Sequence, residues 1–184
     1  MHRSASLALA ALLLSAPSTV AQEQARPDSG FTRHEEMVRM RDGTRLFTVV
    51  LTPAGHSEPL PIIFIRTPYG TTDAVGYVGV RELADDGYIF AFQDIRGRYR
   101  SEGSFVMTRP PAPAGGADES TDTWDAIDWL VKNVAGNNGR VGMFGVSYDG
   151  WLTDMALIGP HPALKAVSPQ ASVGDFWMGD DFFH

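Results

Sequence analysis

From residue 60 to residue 172, short apolar runs alternate with segments of helical spacing. That alternation limits the fold more than any other feature of the chain. "LPIIFIRTPYG" is a continuous apolar run closed by a Pro-Tyr-Gly turn, the pattern of a strand buried on both faces. "VGVRELADDGY" reads as a short amphipathic helix closed by Gly87, and "YIFAFQDIRGR" as the next strand. "ESTDTWDAIDWLVKNV" places Trp124, Ile127, Leu130 and Val131 at helical spacing. Its first turn carries Asp residues, where carboxylates favour the helix dipole. "GRVGMFGVSYDG" is a strand entering a tight turn, "WLTDMALIGPHP" a helix and "LKAVSPQAS" a further strand. Upstream, "HEEMVRMRDGTRLFTVVLTP" reads as two strands around Asp42-Gly43, a hairpin signal. "RPPAPAGGAD", from Arg109, is a Pro/Gly/Ala loop. Strand, helix, strand, helix predicts an α/β domain: a mostly parallel sheet with helices on both faces.

The start of the chain follows a different plan. "MHRSASLALAALLLSAPSTVAQEQA" has a short basic start, an apolar segment over about Ala5 to Leu14, and small residues up to Ala21. This is the layout of a secretory signal peptide, with cleavage expected near Ala21 and the protein secreted or periplasmic. The apolar run is short for a bilayer span; an uncleaved anchor is the alternative. Residues 22–32 then read as a linker and 33–184 as one domain, and 184 residues are enough for a real core. The chain has no cysteine, which excludes disulfides, thiolate catalysis and cysteine-based zinc sites. A formal net charge of −7 without basic blocks argues against nucleic acid as a partner.

Ser147 stands at the tip of the turn after the run Val141 to Phe144. A serine at a strand-to-helix turn between small residues has the arrangement of a nucleophile elbow. The N-terminus of the following helix would point at it and support a developing oxyanion. The usual pattern has glycine two residues after the serine; here that position is Asp149 and the glycine is Gly150. A capping serine in a glycine-rich turn is the competing reading.

With its variant spacing, "GRVGMFGVSYDG" resembles the Gly-x-Ser-Tyr-x-Gly elbow of the X-Pro dipeptidyl-peptidase and CocE/NonD hydrolases. "RTPYG" (66–70), "FQDIRGRYRSEG" (92–103) and "WDAIDWLVKN" (124–133) are similar to segments of that family in the same order. "VMTRPP" (106–111), "NNGRVGM" (137–143), "PHPALKAVSPQAS" (160–172) and "WMGDD" (177–181) look most like the α-amino acid ester hydrolases. Asp149 departs from the glutamate of that subfamily. The resemblance implies an α/β-hydrolase fold, here cut off after the elbow and the next strand.

It also implies roles. Ser147 matches the acylating nucleophile. The backbone N–H of Tyr148 matches one oxyanion donor, as its place beside the serine also suggests, and the Tyr69 hydroxyl matches the second. From the residues alone, Tyr69 reads first as a turn tyrosine packed on the sheet, and only the resemblance makes it a donor. Asp181, with Asp180 beside it, matches a carboxylate cluster that binds a substrate's α-ammonium group; otherwise the two are solvated loop acids. Asp94 and Arg96 are expected to hold the loop after their strand rather than to do chemistry.

A serine nucleophile needs a histidine base and an orienting acid, which in α/β-hydrolases follow the serine in the chain. His161 is too close behind the elbow and reads as structural, and His184 also comes too early. The chain is therefore expected to be the N-terminal part of a longer enzyme, inactive by itself, lacking the family's cap and C-terminal β-sandwich. The expected function is hydrolysis of esters or amides of α-amino acids through an acyl-enzyme, including acyl transfer to β-lactam amines. No cofactor or metal is needed, and the full-length protein could be a homo-oligomer. The alternatives are an X-prolyl dipeptidyl aminopeptidase, a general acyl esterase, or a non-catalytic remnant.

Overall fold

A computed structural model describes residues 30–72, 74, 83 and 86–174. The expected signal peptide, most of the helix expected over 78–87, and both Asp180 and Asp181 lie outside the described residues.

The described strands form one six-stranded sheet. The hairpin is there: β1 (Phe31–Arg39) pairs antiparallel with β2 (Arg45–Pro53) around the Asp42-Gly43 turn. β1 begins at Phe31, inside the segment expected as linker. β3 (Leu60–Thr67), β4 (Ile89–Asp94), β5 (Asn137–Val146) and β6 (Leu164–Gln170) follow the apolar runs. The spatial order is β1-β2-β4-β3-β5-β6. β2 is antiparallel to β4, while β4, β3, β5 and β6 run parallel. β4 is buried at every position, as a central strand with both faces covered must be.

Alternate residues of these strands feed two cores. Leu46, Val50, Ile62, Phe64, Val141 and Met143 face α1 (Glu119–Asn133), which contributes Ala126, Ile127 and Leu130. Phe47, Val49, Leu51, Ile65, Phe90 and Phe92 form the second cluster, against which Leu83 packs. Within the helix expected over 78–87, Leu83, Asp86 and Gly87 are described, and of these Leu83 packs against the second cluster.

Helix α1 starts where the sequence signals a start, but its acids do more than complement a dipole. Asp118 is the N-cap and forms a capping box with Thr121. Glu119 and Asp122 are buried instead of facing water. The second helix, α2 (Tyr148–Met155), begins earlier than the expected "WLTDMALIGPHP" and ends sooner. After Met155 the bonds Leu157 N–H to Asp154 C=O and Ile158 N–H to Met155 C=O tighten the last turn before Gly159-Pro160.

Candidate active site

The order of the strands puts a topological switch point between β3 and β5. From β3 the chain passes to β4 on one side, then crosses by α1 to β5 on the other side of β3. Connections that leave in opposite directions from adjacent parallel strands open a gap at the carboxyl ends, where open α/β sheets bind ligands. Tyr69 follows the end of β3 and Ser147 follows the end of β5. Residues 78 positions apart are thereby brought to one edge.

At Ser147 the backbone has φ 60° and ψ −121°, outside the ordinary regions for a non-glycine residue. Its N–H donates to the Gln170 carbonyl at 2.9 Å, and its own carbonyl accepts from the Trp151 N–H at 3.0 Å. Both bonds pin the turn between β6 and α2. Its side chain makes no capping hydrogen bond although it occupies the N-cap position, and the residue is exposed. The capping-serine reading is therefore not what the hydroxyl does.

The displaced glycine also has a reason. A Cβ on Gly145 would lie 2.3 Å from the Asp149 carbonyl oxygen, because strand and helix approach there. One on Gly150 would lie 2.7 Å from the Gln170 carbonyl oxygen. Gly150 thus serves the contact with β6, and position 149 faces elsewhere; Asp149 is 4% exposed.

Tyr69 is 62% exposed at the rim. Partial burial raises its phenol pKa above the usual value, the Asp149 carboxylate adds to this, and Arg98 offsets part of it. Tyr148 is buried; its hydroxyl donates to the Met107 carbonyl and its ring meets Trp151 edge-on at 5.2 Å. Burial pushes its phenol well up. The loop carrying exposed Phe105, Val106 and Met107 is tied to the elbow by that bond.

Residues 42–184 match the X-Pro dipeptidyl-peptidase (S15 family). The chain belongs to this S15 family. A relative is the cocaine esterase of Rhodococcus sp. (strain MB1 Bresler), 34% identical over 145 residues, 77% of this chain and 24% of the esterase. Among solved structures, an aminopeptidase from the marine sediment archaeon Thaumarchaeota archaeon is 42% identical with a TM-score of 0.81, over 92% of this chain and 30% of that one. An α-amino acid ester hydrolase is 40% identical with a TM-score of 0.79, over 92% and 31%. The chain spans about a quarter of the length of the curated relatives it matches. The fold is that of the α/β hydrolases, as the resemblance implied.

Beneath the S15 elbow lies a charged network that sequence reasoning missed. Arg66, fully buried in β3, donates to the Gln93 side chain at 3.0 Å and to Glu119 and Thr123 at 2.9 Å. Asp122 lies 3.9 Å from Arg66 and takes two bonds from Arg96, at 2.9 and 2.6 Å. Arg96 also reaches Asp42 and Thr44 in the hairpin turn, both at 2.7 Å. The available signal was a lone arginine ending an apolar strand run, opposite acids opening a helix. Arg96 indeed ties down its loop, and Asp94 accepts from the Ser101 hydroxyl at 2.6 Å through its carbonyl.

The described histidines of this S15 chain are not at the elbow. His161 precedes β6, at the end opposite Gln170. It accepts from the Ala163 N–H at 3.0 Å, lies 3.5 Å from Asp128 and meets Trp124 edge-on at 4.7 Å, a structural set of partners.

Proposed function

We propose that this chain carries the nucleophile and oxyanion side of a serine hydrolase for esters or amides of α-amino acids. Ser147 Oγ attacks the carbonyl carbon, the leaving alcohol or amine departs with a proton, and an acyl-enzyme remains. Water, or an acceptor amine such as that of a β-lactam nucleus, then takes the acyl group. The observation that carries the nucleophile role is the strained backbone of Ser147 with a hydroxyl left out of capping. Strain at a non-glycine residue persists where the surrounding structure holds it, and it gathers at functional turns. The Tyr148 N–H and the Tyr69 hydroxyl are the two proposed donors to the oxyanion. The histidine base and its acid are further requirements of the reaction, and the described residues do not place them at Ser147.

Tyr69→Phe tests the second donor. In the full-length protein we expect acylation to slow roughly a hundredfold, the scale for losing one oxyanion-hole donor. KM should change little, because the bond is made mainly in the transition state. A raised KM with unchanged kcat would reduce Tyr69 to a pocket wall.

The amino-acid preference is supported by the 40% identity to an α-amino acid ester hydrolase and by Asp180-Asp181 in the sequence. A carboxylate cluster with no cation to neutralise is costly in a closed site. The full-length protein should then favour esters with a free α-amine over the same esters without it. Asp181→Asn should weaken kcat/KM for the amino ester and much less for the des-amino ester. An equal loss on both would move the assignment to a general acyl esterase, the reading favoured by likeness to the cocaine esterase.

A further inference from the structure

Tyr69 is 62% exposed, so neighbouring side chains hold its ring only in part, and the backbone that sets its Cα–Cβ direction carries more of the aim. The peptide unit between Pro68 and Tyr69 is held at both ends. The Pro68 carbonyl accepts from Arg98 Nε at 2.9 Å, and the Tyr69 N–H donates to Thr67 Oγ1 at 3.2 Å. The proline ring fixes the preceding φ. On the far side of Tyr69, Gly70 has φ 98°, and a Cβ there would lie 2.9 Å from the Tyr99 ring. Tyr99 is itself held at φ 44°, and the Arg98 guanidinium lies 5.4 Å from its ring centre and 5.0 Å from that of Phe105. The loop that presents Arg98 is anchored to β3 by the Ile95 N–H to Thr67 carbonyl bond, 3.1 Å, and closed by Arg98 N–H to Ile95 carbonyl, 3.0 Å.

We propose that Arg98 is a positioning residue for Tyr69: it locks the Pro68-Tyr69 peptide plane through the Pro68 carbonyl and so directs the Tyr69 hydroxyl at the oxyanion. This rests on the donor role proposed above for Tyr69. The guanidinium also adds positive charge beside the phenol, the sign that strengthens a hydrogen bond donated to an oxyanion. Arg98 acts through Tyr69 and does not touch the reacting atoms.

A double-mutant cycle in the full-length protein tests this, reading the acylation burst with p-nitrophenyl acetate, which carries no α-amine. Arg98→Met should slow acylation roughly tenfold with KM within about twofold, because positioning serves the transition state. In the Tyr69→Phe background the same substitution should cost less than about twofold, since residues acting as one unit are not additive. Arg98→Lys keeps the charge but loses the Nε bond, and should give an intermediate, equally coupled loss. It supplies the cycle if the methionine variant does not fold. A loss that persists in full in the Tyr69→Phe background, or an unchanged rate in both Arg98 variants, overturns the Arg98 role while leaving Tyr69 as a donor. An unchanged rate in Tyr69→Phe alone overturns the donor role and the Arg98 proposal with it.

Discussion

Replacing Ser147, the proposed nucleophile, by alanine is expected to abolish ester turnover by the full-length protein, by roughly five to six orders of magnitude in kcat. The fold should remain, because the hydroxyl caps nothing and its residue is held by backbone bonds to Gln170 and Trp151. A second substitution separates chemistry from strain. Ser147→Gly should be equally inactive, yet more stable than the alanine variant by about 1–3 kcal/mol, because glycine adopts φ 60° without the Cβ conflict. Kinetics and melting curves of the three proteins check both statements. Near wild-type hydrolysis by the alanine variant would remove Ser147 from the mechanism. A glycine variant no more stable than alanine would show that the turn stores no strain at this position.

The second large effect concerns Asp122, a residue with no part in the proposed chemical steps. Its carboxylate is fully buried, takes two bonds from Arg96 and lies 3.9 Å from Arg66. Asp122→Asn keeps the shape and removes the charge. Two buried guanidinium groups would then share less negative charge, and breaking a buried ion pair from one side costs about 3–5 kcal/mol. Whole domains are stable by only about 5–15 kcal/mol, so the substitution should lower Tm steeply or prevent folding. Glu102→Gln, which breaks the exposed pair with Arg45, should leave Tm nearly unchanged. Similar Tm values for the two variants would mean that the buried network adds nothing to stability. Because Arg66 precedes the Tyr69 turn in β3 and Arg96 belongs to the loop of Arg98, a partial loss should also slow acylation.

What the sequence determined by itself was local. Period-two and continuous apolar runs fix β1 to β6, helical spacing fixes α1, and Asp42-Gly43 fixes the hairpin, because each signal lies within one short segment. The elbow was legible for the same reason: strand, small residue, serine and helix are consecutive. The end of α2 was less so, since the chain tightens after Met155 before its stop residues Gly159-Pro160. Whether Ser147 capped its helix was open in the sequence, since a capping serine and an elbow serine can share the same neighbours; only the backbone angles and the unused hydroxyl separate them.

Tertiary structure decided what stands beside what. Tyr69 and Ser147 follow the carboxyl ends of neighbouring strands because β5 lies beside β3 while β4 lies on the other side of β3, and strand order depends on crossovers that no local pattern encodes. The glycine at position 150 rather than 149 follows from the approach of β6, a strand that comes later in the chain. Asp122 resembled a dipole-complementing acid until Arg96, from the loop after β4, was seen to hold it, as Arg66 of β3 holds Glu119. Periodicity states which face of an element is apolar. It does not state which charge waits on the opposite element, and that pairing alone makes a buried acid tolerable.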